Sequence, residues 1–393
     1  MLKIKSDKRQ TILYGAFDRY NYGDNLMPIL LEKYFLERFP EKCADIDFVF
    51  ASISDSDLSN FDCKPSTAMI KLLNAPDDST VIVVGGEVLG ADIGILFMHV
   101  QDNYFYSKVL RVIRRFAPWL LVYLAKQKYK SVWDYPYIPN KNDFSNKIKV
   151  AYNTVGACPP KSQLNTLIAA DFISVRDERT YQGLPQILNR KLVPDSVLMV
   201  SKLVSIDSLR SKVSKNIQDI LKNKDFITVQ ACPYKVKFTA KELADELSEI
   251  VKYKNVKVVL LPIGYASGHD DIVFLEKVKS YASEDLILLK DLTVWEIMYA
   301  IATSTGFYGT SLHGVITAMS YCIPHFCINS DITKLVSFLE TWSVTPFNKP
   351  ISGTQISETF PNITDDSLLA LRDSVEHAQK MIFDSLDDMA KLL

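Results

Sequence analysis

Strand-like and helix-like hydrophobic patterns alternate along most of the chain. Ile12–Tyr14 has the pattern of a first strand, and a polar loop over 15–24 follows it. Asn25 is predicted to cap a helix that carries Pro28 in its first turn. Val81–Val84 is a continuous β-branched run, which is typical of a strand buried on both faces of a parallel sheet. These stretches predict that the first half of the chain contains βα units.

The second half repeats the alternation more regularly. Strands are predicted at 226–230, 256–261, 286–289 and 307–308, and helices near 239–252, 271–282 and 293–303. This order implies a parallel sheet with right-handed crossovers, as in a Rossmann-like domain. From Asp365 to the end the apolar residues follow the helical period, and Thr364 is placed to cap that helix.

The predicted fold class is α/β, with two Rossmann-like domains that face a cleft in a GT-B-like arrangement. The predicted boundaries are an N-terminal domain over 1–195, a C-terminal domain over 196–350 and a helical segment over 351–393 that packs across. Open α/β sheets bind ligands beyond the carboxyl ends of their strands, so functional residues are expected in the loops that follow those strands.

Composition and charge narrow the possible functions. Hydrophobic residues make up 48% of the 393 residues, enough for a substantial core in each domain. Lys and Arg total 45 against 46 Asp and Glu, so the formal net charge of -1 offers no general attraction to nucleic acid. The N-terminal residues lack the apolar core of a signal peptide, and no stretch reaches the roughly 20 apolar residues of a spanning helix. We therefore expect a cytoplasmic protein.

Residues 306–324 form the most informative segment: a short strand, a glycine turn and a helix that begins near Leu312. Free backbone N–H groups at such a helix start can bind phosphate or carboxylate. His313, in the first turn, can meet the bound anion. The alternative, an ordinary polar residue at a helix end, is less favoured in this setting. The predicted anion-binding residues are Thr310, Ser311, Leu312 and Gly314.

Two further segments carry candidate chemistry. Arg176 and Asp177 follow a predicted strand, and a guanidinium there can bind a carboxylate or phosphate through two parallel hydrogen bonds; a surface ion-pair cluster is the alternative. The loop after the first strand is rich in tyrosine and asparagine, which suits a sugar, and it contains no dinucleotide or ATP-binding motif. His269 either caps a helix or contacts an acceptor. The predicted sugar-binding residues are Asn21, Tyr22, Asp24, Asn25, Gly86 and Glu87.

Residues 108–130 combine basic residues with an apolar run that contains Trp119 and Tyr123. This composition suits a helix that lies in the membrane interface. A buried core helix with a basic edge explains it nearly as well. Both interpretations stay open at this point.

The chain resembles the polysaccharide pyruvyltransferase family. The resemblance runs in order over most of residues 11–330, and the order of its short motifs makes it fairly specific. The motifs are Asn21–Asn25, Gly85-Gly86, Thr154–Gly156, Ser174–Asp177, Pro194-Asp195 and Gly309–Gly314 with Ala318 and Pro324.

The resemblance implies transfer of the enolpyruvyl unit of phosphoenolpyruvate onto two hydroxyls of one sugar, with release of phosphate. His313 would then protonate the methylene carbon or stabilise the departing phosphate, and Arg176 would hold the donor. Candidates for the base that activates the sugar are Asp24, Glu87 and Asp177. No cofactor or metal is implied beyond phosphoenolpyruvate as co-substrate. Replacing His313 or Arg176 with alanine is expected to cut turnover at least ~100-fold without unfolding the protein.

Two positions depart from the family pattern. Many relatives have an arginine two residues before the motif histidine, where this chain has Ser311. Others often have a third glycine where this chain has Glu87. A donor clamp is therefore missing or supplied from elsewhere.

The main hypothesis is pyruvyl transfer to a sugar of a capsular, exopolysaccharide or cell-wall glycan precursor. This precursor is expected to be carried on a lipid at the inner face of the membrane, and residues 108–130 are the predicted membrane contact. The alternatives are a GT-B-type glycosyltransferase that uses a nucleotide sugar and a non-catalytic relative that binds glycan.

Overall fold

The computed structural model describes residues 8–99, 104–222, 225–254, 256–265 and 271–393. The chain forms two parallel β-sheets. The first has seven strands in the order β3-β2-β1-β4-β5-β6-β7, and the second has five in the order β10-β9-β8-β11-β12. All the strand pairs in these sheets are parallel, as the alternation of strands and helices predicted.

The bounds of the strands and helices are as follows. The strands are β1 Arg9–Tyr14, β2 Ile46–Ser52, β3 Thr67–Ala68, β4 Thr80–Val83, β5 Lys149–Val155, β6 Phe172–Val175, β7 Lys191–Leu192, β8 Phe226–Gln230, β9 Lys257–Leu260, β10 Ile287–Leu288, β11 Gly306–Gly309 and β12 His325–Cys327. The helices are α1 Tyr22–Arg38, α2 Pro40–Cys43, α3 Ile93–His99, α4 Tyr104–Phe116, α5 Pro118–Tyr129, α6 Leu164–Ile168, α7 Glu178–Gly183, α8 Val200–Leu203, α9 Ile206–Arg210, α10 Lys215–Leu221, α11 Ala240–Lys254, α12 Asp271–Tyr281, α13 Val294–Ala302, α14 Leu312–Ser320, α15 Thr333–Trp342 and α16 Asp365–Met389. None of these helices is both long and apolar enough to cross a membrane.

The start of α1 differs from the prediction. The helix begins at Tyr22, because Asn21 has extended backbone angles and occupies the cap position. Asn25 lies inside the helix, where its side-chain amide donates hydrogen bonds to the carbonyls of Arg19 and Asn21. Side-chain amides form such local backbone bonds both at caps and just inside a helix, so the sequence did not distinguish the two positions.

The basic stretch 108–130 forms two helices, α4 and α5, which break at Pro118 because proline cannot continue a helix from its interior. Leu110, Leu121 and Ala125 pack into a small separate core. Phe116 and Trp119 point outward, with exposed fractions of 76% and 71%. The buried side chains agree with a helix that packs on a core, and contact with a membrane stays a prediction.

The two sheets are joined by shared packing. One hydrophobic cluster includes Leu13 of the first sheet and Leu260 of the second, and it continues into Leu386 of α16. The side chain of Tyr20 stacks on Phe61 and donates a hydrogen bond to the carbonyl of Leu292 across the cleft. The C-terminal helix packs across, as predicted.

The segment that connects the sheets contains α8, α9 and α10; its residues 193–200 are buried, and most of 201–222 is exposed. The predicted boundary at 195 falls between the last strand of the first sheet, Lys191–Leu192, and the first strand of the second, Phe226–Gln230. The boundaries at 195 and 350 stay predictions.

Candidate active site

A cavity of about 480 Å³ lies between the carboxyl ends of the two sheets. Its N-terminal wall comes from the loops after β1, β4 and β6. Its C-terminal wall comes from the loops after β8, β9 and β11 and from the first turn of α15. Both sheets aim their strand ends at this space, as the general rule for open α/β sheets requires. Its volume suits a small anion together with a sugar unit.

His313 and Arg176 both line this cavity although they come from different sheets. The Nε2 atom of His313 lies 3.6 Å from Oδ2 of Asp195, and Nη1 of Arg176 lies 3.0 Å from the same oxygen. Asp195 is fully buried, and its other carboxylate oxygen accepts a hydrogen bond from the backbone N–H of Val197. One carboxylate oxygen therefore lies close to both the imidazole of His313 and the guanidinium of Arg176.

The charges around Asp195 determine its protonation. Burial raises the pKa of the Asp195 carboxyl, but the proximity of His313 and Arg176 outweighs that effect and lowers the pKa to about 2. The carboxylate is therefore charged at neutral pH.

Arg176 is the centre of a buried ion cluster. Its side chain is 1% exposed, and its Nη2 donates to Oε1 of Glu87 over 2.9 Å. Arg179 donates to the same Glu87 oxygen, and Asp177 lies 3.9 Å from Nε of Arg176. Two guanidinium groups are thus packed among the three carboxylates of Glu87, Asp177 and Asp195, and both terminal nitrogens of Arg176 are engaged. The surface ion-pair alternative is wrong for Arg176.

Gly23 of α1 lies directly against the imidazole of His313. A Cβ atom at this position would lie 1.8 Å from Nδ1 of His313, far inside van der Waals contact. Tyr22 next to it forms a hydrogen bond of 2.8 Å with the hydroxyl of Thr317, one turn further along α14 than His313. The N-terminal domain thus packs its first helix against the helix that carries His313, and the glycine leaves room for the ring.

Gly85 and Gly86 follow β4 with φ of +89° and +88°. Only glycine adopts this conformation readily. Gly86 lines the cavity, and its carbonyl accepts a hydrogen bond from the N–H of Gly156. The glycine pair therefore turns the chain so that Glu87 faces Arg176.

Asp271, at the start of α12, lines the C-terminal wall. Its Oδ2 accepts three hydrogen bonds, from the Gln230 side chain and from the backbone N–H groups of Ile263 and Gly264. Its Oδ1 is buried and has no hydrogen-bond partner in the described part of the chain. Burial raises the pKa of this carboxyl to about 6, in spite of those hydrogen bonds.

The structure brings most of the predicted site residues together. Those that line the cavity are Asn21, Asp24, Gly86, Glu87, Arg176, Ser311, Leu312 and His313. The hydroxyl of Ser311 accepts the N–H of Gly314, so this hydroxyl caps α14 as well as facing the cavity.

Four predicted binding residues do not line it. Tyr22 is buried against α14, and Asn25 bonds to the backbone of its own loop. The hydroxyl of Thr310 is buried in hydrogen bonds with Gln230 and the N–H of Cys232. Gly314 packs against the ring of Phe307. Each of these four residues therefore stabilises the protein around the cavity and does not face the cavity itself.

Asp177 and His269 are the remaining candidates. Asp177 caps α7, accepting the N–H and the hydroxyl of Thr180, and does not face the cavity. The predicted roles of His269 concern a position outside the described residues. Within the described residues, no group of three or more His, Cys, Asp or Glu side chains could hold a metal ion.

Sequence reasoning assigned no site role to Lys235, Asp271 and Lys334, which line the cavity, or to Asp195, which is buried against His313 and Arg176. The Pro194-Asp195 pair was visible as a motif, but nothing local showed that its carboxylate meets His313. Lys334 follows an unremarkable polar turn, and only the packing of α15 brings it to the cavity. These residues are distant in sequence from the histidine motif, so pattern alone gave no signal.

The fold and cavity define a two-domain α/β protein of the GT-B-like class. MnaA of S. aureus, solved with UDP, superposes with a TM-score of 0.56 at 13% identity, over 98% of each chain. The UDP-GlcNAc 2-epimerase of Neisseria meningitidis, solved with UDP-GlcNAc, gives a TM-score of 0.53 at 12% identity, over 97% of this chain and 100% of that one. At 12–13% sequence identity, this structural similarity concerns the fold alone.

The family model for polysaccharide pyruvyl transferase matches residues 165–332. The matched residues include Arg176, Asp195 and the His313 helix, so the resemblance inferred from the motifs is confirmed over this part of the chain. The activity that defines the family is that of a transferase. The search of curated proteins finds no match.

Proposed function

We propose that the protein transfers a pyruvyl group from phosphoenolpyruvate to a sugar of a capsular, exopolysaccharide or cell-wall glycan precursor and releases phosphate. The observation that carries this proposal is the meeting of His313 and Arg176 at Asp195 on the wall of one cavity. The family match over 165–332 supports the reaction class.

The chemistry needs an acid, an anion site and a base. His313 donates a proton to the methylene carbon, which becomes a methyl group and leaves an oxocarbenium-like centre. One sugar hydroxyl attacks that centre. A second hydroxyl closes the ketal as the C–O bond to phosphate breaks. Of the two hydroxyl protons, one replaces the proton spent by His313, and the other leaves with the phosphate.

Arg176 is assigned a positioning role. Because its two terminal nitrogens already bind Asp195 and Glu87, it holds the carboxylate that orients His313 rather than reaching out to the donor. Removing a partner from a buried ion cluster costs about 3–5 kcal/mol, because charges are left buried and unpaired. Arg176→Ala is therefore expected to destabilise the protein, and this replaces the expectation drawn from the sequence.

The N-terminal wall has unused polar groups that suit a sugar. Nη1 of Arg19 and the hydroxyl of Tyr137 are buried and have no hydrogen-bond partner among the described residues. Both residues line the cavity with Asn21 and Asp24. Buried polar groups of this kind are normally satisfied, so sugar hydroxyls are suitable partners.

The test is phosphate release from phosphoenolpyruvate with a galactoside or an N-acetylmannosamine-containing acceptor. We expect His313→Gln to cut turnover at least ~100-fold. His377→Gln, on the exposed face of α16, is the matched control and should leave turnover unchanged. Absence of phosphate release from the unaltered protein with a range of acceptors would favour the non-catalytic relative that binds glycan.

The nucleotide-sugar alternative has its own test. Saturation-transfer NMR compares phosphoenolpyruvate with UDP and CMP sugars. Preference for a nucleotide would overturn pyruvyl transfer in favour of a GT-B-type glycosyltransferase.

The membrane contact proposed from the sequence rests on α4 and α5. Val112, Phe116, Trp119 and Tyr123 are exposed, and Arg111, Arg114 and Arg115 lie among them on the surface. Aromatic and basic side chains together suit an anionic lipid surface, which would bring a lipid-linked acceptor at the inner face of the membrane within reach.

Flotation with vesicles that contain anionic phospholipid tests this contact. The double variant Phe116→Ser with Trp119→Ser should lose co-flotation at low salt. Ile187→Ser removes an equally exposed apolar side chain elsewhere and should not. Failure of the unaltered protein to float would remove the membrane claim and leave the chemistry in place.

A further inference from the structure

Two lysines line the cavity and take part in no salt bridge within the described residues. Lys235 lies in the turn after β8, and Lys334 lies in the first turn of α15. The arginines of the cavity are differently placed: both terminal nitrogens of Arg176 bind carboxylates, and Arg19 lies 3.7 Å from Asp18. Among the described residues, Lys235 and Lys334 are thus the cationic groups of the cavity without an ion-pair partner.

The fold holds these lysines at fixed positions. The side-chain amide of Asn329, in the loop before α15, donates a hydrogen bond of 2.8 Å to the backbone carbonyl of Lys235. At the other end of α15, the indole N–H of Trp342 donates over 2.8 Å to the carbonyl of Arg176. The helix is therefore anchored to the N-terminal domain, and Lys334 is carried to the cavity wall.

The charges around Lys334 leave it short of negative partners. Burial and the positive charges of Lys235 and Arg176 together lower the pKa of its ammonium group to about 8, because Glu87 and Asp24 raise it by less. Two neighbouring lysines repel each other unless an anion lies between them. A doubly charged phosphoryl group would remove that repulsion.

We propose that Lys235 and Lys334 together bind the phosphoryl group of the donor, in place of the arginine that the family pattern has at the position of Ser311. The identity of the donor in this inference rests on the proposed function. The ability of the two lysines to bind a phosphoryl group does not depend on it. Ser311 is uncharged, and its hydroxyl accepts a hydrogen bond from the N–H of Gly314. The lysines supply two charges from the loops after β8 and β12 instead.

Binding measurements test the proposal without turnover. Isothermal titration calorimetry measures the affinity of the full chain for phosphoenolpyruvate, inorganic phosphate and UDP. Loss of one charge-assisted contact weakens binding about 10- to 100-fold. We expect that loss for Lys334→Met and for Lys235→Met. Lys237→Met is the matched control, since Lys237 lies two residues away, is exposed and pairs with Asp331.

The pH dependence adds a readout that a purely structural lysine would not move. Anion affinity should be full below pH 8 and fall as the pH rises through about 8, where Lys334 loses its proton. Lys334→Arg should keep the affinity and lose that fall, because guanidinium stays charged.

The outcomes separate the two proposals. Unchanged affinity of Lys334→Met and Lys235→Met for every phosphoryl ligand would overturn the subsite, as would an unaltered protein that binds none of them. Lysine-dependent binding of UDP or inorganic phosphate without binding of phosphoenolpyruvate would support the subsite and overturn the proposed function.

Discussion

The side chain of His313 is held by contacts that come from both domains. Asp195 lies on one side of its imidazole, and the backbone of α1 at Gly23 lies on the other. The ring is 9% exposed and faces the cavity. An acid held in this way can deliver its proton in one direction, which is the geometric condition for general acid catalysis.

Gly23→Ala tests this arrangement at the smallest scale. Alanine favours a helix over glycine by about 1 kcal/mol, but its Cβ would occupy the space of the imidazole of His313. We expect turnover to fall at least ~10-fold, since a displacement of about 1 Å at a catalytic group has effects of that order or larger. Circular dichroism and the thermal midpoint check that the fold is kept. Normal turnover would show that the ring position is unimportant.

Asp271 is the carboxylate best suited to act as the base. The pKa of Asp195 is lowered to about 2 by His313 and Arg176. The pKa of Glu87 is also lowered, because the positive charges of Arg176, Lys334 and Arg179 outweigh the effect of burial. The pKa of Asp271 is raised to about 6, and its Oδ1 has no hydrogen-bond partner among the described residues. A base must be deprotonated to act, so activity should fall as the pH drops below about 6.

The pH profile of Asp271→Asn checks this assignment. Its kcat should drop ~100-fold or more, and the acidic limb near pH 6 should disappear. Asn keeps an oxygen that can accept the N–H groups of Ile263 and Gly264, so the turn should hold. Asp24→Asn is the parallel variant. If that variant alone abolishes turnover, the base is Asp24, one of the three candidates from the sequence.

At the scale of elements, two helices that follow strands of the second sheet contribute to the C-terminal wall of the cavity. Helix α14 brings His313 to the cavity directly after β11, and α15 brings Lys334 there directly after β12. These strands are neighbours in the sheet, so their helices begin side by side. The strand order, rather than sequence proximity, places the two residues together.

Helix α16 carries the C-terminal end of the chain across both sheets. Thr364 caps its first turn: its hydroxyl accepts the N–H of Ser367, and the hydroxyl of Ser367 accepts the N–H of Thr364. At the far end the carbonyl of Leu392 accepts hydrogen bonds from Thr80 and Lys149 of the first sheet. The helix thus ties the two halves together.

Thr364→Ala should lower the free energy of unfolding by about 1 kcal/mol, because a reciprocal cap is lost. Thr364→Ser keeps the hydroxyl and should retain nearly all the stability. Chemical denaturation of the three proteins measures the difference. Equal midpoints for all three would mean that the end of α16 frays without consequence for the fold.

At the scale of the molecule, one hydrophobic cluster runs through both sheets and α16. Trp295 belongs to this cluster, whereas Trp133 lies in the separate core on the other face of the first sheet. Domains that share so much buried apolar surface are expected to unfold together.

Fluorescence of variants that keep only Trp133 or only Trp295 should therefore report the same denaturation midpoint. Far-ultraviolet circular dichroism of each variant supplies the control, since it follows the whole chain. Separate midpoints for the two tryptophans would show that the first sheet unfolds on its own.

Much of the architecture followed from the sequence because it depends on local patterns. The strand at Phe226–Gln230 and the helix at Asp365–Met389 lie where the apolar periodicity placed them. The position of His313 in the first turn of its helix was also predicted correctly, since strand, glycine turn and cap are all adjacent in the chain. The predicted start of α1 was wrong by four residues, because Asn21 and Asn25 are equally plausible caps.

The sequence by itself determined the two parallel sheets, the strand ends that carry candidate chemistry and the motif histidine, because hydrophobic period and turn chemistry act over a few residues. Only the tertiary structure decided that Arg176 is buried among three carboxylates, that Asp195 joins it to His313 and that Lys334 reaches the cavity. These relations depend on which strand ends meet across the cleft and on which side chains are removed from water there. Contacts between residues this distant in the chain leave no local pattern.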